Sequence, residues 1–282
     1  MDIGLTFGRA FEARIAAVPG VVRAQLAGSA RRRRETIGDL DIVAAALPED
    51  HDSVIESILS FPGIAEVKGH GESKVSLILE QEMLAAASGG GSMDAQLVEA
   101  MMERSTDATI DAQVRIVAPE TFPFTLAYFT GSKEHNIRLR QLAIDKGLRL
   151  NEFGLFSEEA AGEAIGMEAA KHTLSCTDEA DIYRHLGLEW VTPELREDMG
   201  EVEAATIGTS AGLPNLIETS DLRGALHNHT IASDGVNTLE EMAAAAQALG
   251  WQYLGIADHS EVLNIGGRQI GVPADGIPAQ AK

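Results

Sequence analysis

Gly28-Ser29-Ala30-Arg31-Arg32-Arg33-Arg34-Glu35-Thr36-Ile37-Gly38-Asp39-Leu40-Asp41-Ile42 is the stretch whose reading decides the fold. Val21 to Ala27 ahead of it reads as a strand ending in Gly28-Ser29, and Gly38 to Ala46 reads as a second strand. Side chains alternate across a strand, so Asp39 and Asp41 project from one face, where their oxygens can share a hard divalent cation. Gly28 and Ser29 offer backbone N–H groups and a hydroxyl, and Arg31 and Arg32 close behind add guanidinium forks, a donor set suited to a triphosphate. An isolated Asp-x-Asp is more often a solvated strand edge. Joined to Gly-Ser and paired arginines, it points to metal-assisted phosphoryl transfer.

Working outward, an amphipathic helix from Leu5 to Val18 precedes this stretch and stops at Pro19-Gly20. After it come a helix through Val54 to Leu59 and short strands at Ile64 to Lys68 and Val75 to Leu79. Between Glu80 and Asp107 the composition shifts to Ala, Ser, Gly and Met around Ser88-Gly89-Gly90-Gly91-Ser92, which reads as an insertion of low order between two strands. Alternation of Ile110, Ala112, Val114 and Ile116 marks the next strand, followed by helices over Phe122 to Tyr128 and Lys133 to Lys146. Thr206 to Ser220, with Gly208, Ser210, Gly212 and Pro214, reads as a linker. Beyond it, strand Gly224 to Leu226, helix Leu239 to Leu249 and strand Tyr253 to Ala257 form a parallel βαβ pattern.

The 282 residues carry a formal charge of −21, which argues against indiscriminate coating of nucleic acid. The distribution is uneven. Residues 1 to 150 hold 16 Lys/Arg against 21 Asp/Glu, whereas residues 151 to 282 hold 6 against 22. Positive charge concentrates at Arg31 to Arg34 and from Lys133 to Arg149, where a polyanion is expected to meet the chain. No uninterrupted apolar stretch suits a signal peptide or a bilayer span, and the single cysteine, Cys176, suits a reducing compartment, so a cytoplasmic protein is expected.

A second constellation lies near the carboxyl end. His227 and His229 flank Asn228 at a strand end, Asp234 follows in a Ser-Asp-Gly turn, and the next parallel strand ends in Asp258-His259. Imidazoles and carboxylates gathered at the carboxyl ends of consecutive strands suit a transition metal and match where βα barrels build active sites. A bare His-x-His reads equally as a pair of surface histidines; the second strand makes chance less attractive.

The run from Gly28 to Ile42 is similar to the palm signature of family X DNA polymerases, a branch of the nucleotidyltransferase superfamily. Tyr128-Phe129-Thr130-Gly131-Ser132-Lys133, continuing to Asn136 and Arg140, resembles the same family's nucleotide-selection segment. The His227, Asp234 and His259 motifs resemble the first motifs of the PHP domain that follows the polymerase module in bacterial members. The resemblance covers about Leu5 to Ser260. It implies an α+β fold: a nucleotidyltransferase palm over residues 1–130 with the insertion at 80–107, and a small thumb-like α/β subdomain over 131–205. A linker over 206–222 and the first βαβ unit of a PHP (β/α) barrel over 223–282 would follow.

The same resemblance implies a two-metal mechanism in which Asp39 and Asp41 hold Mg²⁺ or Mn²⁺ between triphosphate and primer hydroxyl. Gly28, Ser29 and Arg32 would hold phosphates, Tyr128 and Phe129 would pack under the sugar, Gly131 would belong to the same nucleotide-binding turn, and Asn136 would reach the base edge. Lys133 and Arg140 would contact DNA, while His227, His229, Asp234 and His259 would ligate Zn²⁺ or Mn²⁺, with Asp258 nearby. DNA and deoxynucleoside triphosphates are the implied partners of a monomer, with no membrane. The family's third carboxylate falls at Gln113, counted from Arg115, and a neutral amide cannot serve as a base. Asp111 shares that face and would supply the charge if the backbone shifted by one pair. The chain is also expected to be truncated at both ends, to grip DNA weakly and to lack a competent phosphoesterase. Three functions stay open: a gap-filling repair polymerase, a catalytically impaired DNA-binding remnant, and a PHP phosphoesterase.

Overall fold

Asp39-Leu40-Asp41-Ile42 alternates half-buried and fully buried positions, and the strand it starts, Asp39–Ala46, is the axis of the fold. The computed structural model describes residues 2–80, 109–157, 159, 168, 171–208, 212–261, 264–265, 268–269 and 271–273. The chain divides into two compact units, Met1–Leu213 and Pro214–Lys282.

In the first unit the elements begin α1 (Asp2–Ala16), β1 (Val21–Leu26), α2 (Gly28–Arg31), β2 (Asp39–Ala46) and α3 (His51–Leu59). They continue β3 (Ile64–Gly71), β4 (Lys74–Glu80), β5 (Thr109–Val117), α4 (Phe122–Thr130) and α5 (Lys133–Asp145). The hairpin β6 (Leu148–Asn151) and β7 (Gly154–Ser157), then α6 (Glu179–His185) and α7 (Glu201–Ala204), follow among the described residues. Five strands form one mixed sheet in the order β1-β2-β5-β4-β3. Only the β2–β5 pair is parallel; β1–β2, β5–β4 and β4–β3 are antiparallel.

The alternation seen in the sequence sorts the two faces of this sheet. Leu40, Ile42, Ala44 and Ala46 of β2, with Ala112, Val114 and Ile116 of β5, pack under Phe7, Phe11 and Ile15 of α1 and Val54 and Ile58 of α3. Each such large apolar side chain contributes about 1.5–3 kcal/mol through burial. On the opposite face Val43 and Ala45 pack against Phe122 and Leu126 of α4. That helix covers the carboxyl half of β2, so Asp39 and Asp41, which share its face at the amino end, stay half-buried. A separate cluster, Phe124, Ala127, Leu139, Ala143, Leu155, Ile182 and Tyr183 among others, joins α4, α5, the β6–β7 hairpin and α6.

The hairpin and α6 escape sequence reading because each is short and apolar periodicity needs a longer window. Gly28-Ser29, expected at a strand end, instead opens the four-residue helix α2. Of the stretch from Glu80 to Asp107, only Glu80 lies inside the described residues, so the insertion expected there lies outside them. No helix among the described residues is long and apolar enough to cross a membrane.

The second unit contains β8 (Gly224–Asn228), α8 (Leu239–Ala248) and β9 (Tyr253–Ile256), with β8 and β9 paired in parallel. Thr238 caps α8 by accepting from Glu241 N, and Glu241 returns the bond to Thr238 N. This reciprocal cap fixes where the crossover helix begins.

Candidate functional site

Two turns of chain bring the first constellation together. Ala27 N donates to Asp41 O at 2.7 Å, which ties the end of β1 to β2. Gly28 follows at φ +62°, and a Cβ built on it would lie 2.5 Å from Asp41 Oδ2. Only glycine satisfies both the left-handed backbone and this approach. Gly28→Ala is therefore expected to lower stability by about 1–3 kcal/mol and to weaken divalent-cation binding, because the methyl group and the Asp41 carboxylate compete for one space. Thermal unfolding and manganese titration of the variant check this; unchanged melting and unchanged binding would refute it.

Asp39 and Asp41 face the same side, one residue apart. Burial first, and the Asp39 charge second, push the Asp41 carboxyl up to about 6, while Arg115 and Lys74 pull the other way. A carboxyl raised by burial and by a neighbouring charge marks a site where a divalent cation relieves real repulsion.

The register of β5 shows where Asp111 and Gln113 stand relative to the pair on β2. Asp39 stands opposite Asp111 and Asp41 opposite Gln113, so Asp111 is one residue pair short of the position across from Asp41. Its carboxylate is instead held by the ammonium of Lys68 on β3. Among the described residues Asp39, Asp41 and Asp111 do not form a group with ligand atoms within 4.8 Å of one another. The position across from Asp41 carries the neutral amide of Gln113.

Arg115, two residues along the same face of β5, connects this corner to the aromatic turn. Its guanidinium lies 4.3 Å from the centroid of the Phe129 ring, and its charge acts on Asp41. Its buried Nε has no hydrogen-bond partner among the described residues. Tyr128 and Phe129 meet edge to face at 5.2 Å. Tyr128, Asn136 and Arg140 line one small cleft with Phe124, Leu139 and Leu150. Asn136 is fixed there by donating Nδ2–H to Tyr128 O at 2.7 Å. Ser132 caps α5 by accepting from His135 N, and Lys133 is exposed at its first turn.

The arginine run is not the open cationic face that the sequence implies. Arg31 pairs with Glu179, Arg32 with Glu197 at 2.8 Å, Arg33 with Glu194 at 3.0 Å and Arg34 with Glu197 at 3.7 Å. Arg32 Nη1 also donates to Thr130 O at 2.6 Å, so the cradle and the Tyr128–Ser132 turn are stitched together. Glu179 lies buried between two guanidinium groups, Arg31 and Arg196. Sequence reasoning missed Glu179 and Glu197 because Arg31 and Arg32 are more than a hundred residues away, and Arg196 because its pairing with Glu179, 17 residues earlier, spans more than a local window. The one local signal is the Asp178-x-x-Asp181 capping box, which marks Glu179 as the first residue of α6.

His135 is a further buried group the sequence did not flag. Its Nδ1 meets Glu201 Oε1 at 2.5 Å and its Nε2 meets the Tyr183 hydroxyl at 2.9 Å. Burial holds the imidazole below its ordinary pKa, against the opposing pull of Glu201. The neutral tautomer that satisfies both partners donates from Nδ1 and accepts at Nε2. It anchors the amino end of α5, where Asn136 sits.

In the second unit His229 Nδ1 lies 2.7 Å from Asp234 Oδ1, and His259 Nε2 lies 3.4 Å from Asp234 Oδ2. These three residues offer ligand atoms within 4.8 Å of one another. Both histidines follow the carboxyl ends of the parallel strands β8 and β9. The hydrogen bond from His229, ahead of any other influence, holds the Asp234 carboxyl below its usual range. His227 lies outside that group, with φ +62° and its ring stacked on His229 at 5.2 Å. The strand is irregular between Ala225 and Asn228, which breaks the alternation that would put His227 with His229. Asp258 accepts from Thr230 N, Thr230 Oγ1 and Ser233 Oγ, and so braces the loop that carries Asp234.

Comparison with known proteins gives these arrangements a context. Residues 125–197 match the family model "DNA polymerase beta thumb". The chain is 35% identical over 279 residues, 99% of its length, to the DNA polymerase/3'-5' exonuclease PolX of Bacillus subtilis (strain 168), and it spans 41% of that relative. It is 42% identical over 83 residues, 29% of its length and 15% of the relative's, to human DNA-directed DNA/RNA polymerase mu. The fold resembles Leishmania infantum polymerase beta in its ternary P/T complex, with a TM-score of 0.52 at 21% identity, covering 68% of this chain and 76% of that one. The ternary gap complex of the same protein gives 0.52 at 20% identity, covering 68% and 70%. The fold is thus α+β, with a mixed sheet and a thumb region, like that of polymerase beta.

Proposed function

The chain belongs to the family X DNA polymerases of the bacterial PolX type, and from that premise we propose that it carries out template-dependent nucleotidyl transfer in gap-filling DNA repair. The observation that carries the reading is the corner where Gly28 closes on Asp41 beside Asp39, on one face of β2. A divalent cation held by Asp39 and Asp41, Mg²⁺ or Mn²⁺, would supply charge neutralisation between the triphosphate and the primer 3′-hydroxyl. The donor set fits such a cation, because burial and Asp39 together raise the Asp41 carboxyl to about 6 and a cation reverses that cost.

Around that corner the chain's own groups bind and orient. Ser29, the backbone of Gly28 and the guanidinium of Arg32 hold the phosphates. Tyr128, Phe129 and Gly131 form the wall under the sugar, and Asn136, pinned by its bond to Tyr128 O, faces the base edge. Lys133 and Arg140, both on α5, take the DNA strands. DNA with a gap or a primer-template junction and deoxynucleoside triphosphates are the substrates of this reading, and a cytoplasmic monomer is its setting.

Gln113 favours a second reading, a catalytically impaired DNA-binding remnant, because the residue opposite Asp41 cannot accept a proton from a primer hydroxyl. Asp111 is the alternative third carboxylate, provided it exchanges Lys68 for the cation. Gap filling with Mg²⁺ and with Mn²⁺ separates the readings. Incorporation that disappears in Asp39→Ala and rises about tenfold or more in Gln113→Asp supports the polymerase. DNA binding without incorporation in the parent chain and in Gln113→Asp supports the remnant.

For residues 223–282 the reading is the opening βαβ unit of a PHP domain, the part associated with 3'-5' exonuclease or phosphoesterase chemistry. His229, Asp234 and His259 fit Zn²⁺ or Mn²⁺ by donor type and spacing, and His227 would join them only after turning toward the group.

A further inference from the structure

We propose that Glu197 is an intramolecular competitor for the phosphates of the incoming nucleoside triphosphate, and that it sets the chain's affinity for nucleotide by occupying Arg32. The inference rests on the reading of Arg32 as a phosphate ligand and deepens it.

Arg32 Nε donates to Glu197 Oε1 at 2.8 Å, and Arg34 Nη1 approaches the same oxygen at 3.7 Å. Arg32 Nη1 is taken by Thr130 O. A Cβ on Gly131 would lie 3.1 Å from that nitrogen, so the guanidinium is packed against the turn and cannot swing away freely. A carboxylate and a phosphate oxygen use the same edge of a guanidinium, and both prefer paired, charge-assisted bonds. A triphosphate seated on Gly28 and Ser29 must therefore either displace Glu197 or share Arg32 with another anion.

Glu197 is presented from a rigid stub. Its neighbour Arg196 is 1% exposed, donates Nε–H to Val191 O and Nη1–H to Glu179, and accepts Ser132 N–H on its backbone oxygen at 3.0 Å. The carboxylate therefore stands beside Arg32 rather than visiting it. The pair itself is only partly screened, with side-chain exposures of 14% for Arg32 and 22% for Glu197, so solvent and ligand can reach it. Holding the two segments together does not require it, because the buried Arg31–Glu179–Arg196 cluster already does that. Exchangeability and a redundant structural role are what separate a competitor from a fastener.

The test measures binding of dATP with Mg²⁺, and of inorganic tripolyphosphate, by titration calorimetry of the whole chain and of Glu197→Gln, Glu194→Gln and Arg32→Ala. Glu194 pairs with the more exposed Arg33 and controls for loss of one negative charge. Glu197→Gln is expected to bind both ligands about three- to tenfold more tightly, with Glu194→Gln changing affinity less and the melting temperatures staying close together. Equal or weaker binding in Glu197→Gln, with Arg32→Ala still weakening the parent chain, overturns the inference and leaves Arg32 as a phosphate ligand. Binding that is indifferent to Arg32→Ala removes that reading as well. An equal gain in Glu194→Gln also overturns the assignment.

Discussion

Glu179→Ala is expected to destabilise the first unit by about 3–5 kcal/mol, the cost of stripping the shared partner from buried cations. Arg31 Nη1 and Arg196 Nη1 both donate to Glu179 Oε1, at 2.9 and 2.7 Å, and Arg31 Nη2 donates to the second oxygen. Arg196 is almost wholly enclosed, with its guanidinium 5.2 Å from the Tyr183 ring centroid and 5.9 Å from that of Trp190. Its Nη2 has no partner among the described residues even with Glu179 present, so they offer no spare acceptor when the carboxylate is gone. Burial alone would raise the Glu179 carboxyl, but the two guanidinium groups override it and hold it below its usual 4.5. A depressed folded-state value contributes stability that is complete above the unfolded value near 4.5 and is lost as pH falls through the folded one. Urea unfolding followed by tryptophan fluorescence reads the effect through Trp190. A loss under about 1 kcal/mol would mean that the cluster is ornamental.

Asp41→Asn is expected to do two opposite things. Nucleotide incorporation should fall about a thousandfold or more, since a cation clamp is worth several kcal/mol in the transition state and the amide carbonyl is a weak ligand. The metal-free chain should become more stable at neutral pH, by about 1–3 kcal/mol. The sign follows from the carboxyl's rise from 3.8 to about 6, caused by burial and then by Asp39. Between those values the folded chain keeps a proton the unfolded chain has released, so stability drops as pH climbs through that window. Asparagine carries no charge to desolvate and escapes the penalty. Melting temperatures of parent and variant should converge below about pH 4 and separate above about pH 6, and Mn²⁺ should stabilise the parent far more than the variant. A variant that melts earlier than the parent at pH 7, or that still incorporates nucleotide at the parent rate, would defeat the account of this corner.

Asp41 and Glu179 fall on opposite sides of what the chain's order of residues discloses. Asp41 is legible: an Asp-x-Asp on an alternating strand next to Gly-Ser states its own geometry, and the observed strand Asp39–Ala46 differs from the expected one by a single residue. Glu179 is not, because nothing within its own window refers to Arg31, 148 positions earlier. The same division holds elsewhere. The helices from Phe122 and Lys133 and the parallel βαβ pattern announce themselves by periodicity, whereas of the four expected ligands His227, His229, Asp234 and His259 the fold groups only the last three. Which residue of β5 stands beside Asp39 depends on strand register, and only the folded sheet fixes that.

By itself the sequence determined the local chemistry: which positions alternate, where helices begin, and which carboxylates, imidazoles and guanidinium groups are close along the chain. The tertiary structure alone decided which of those groups meet. It set Asp111 opposite Asp39 but under Lys68, put Gln113 across from Asp41, and spent the arginine run on Glu179, Glu194 and Glu197. The physical reason is range. Backbone preferences act over a few residues, while pairing of charges and strands acts through space and is set only once the chain has closed on itself.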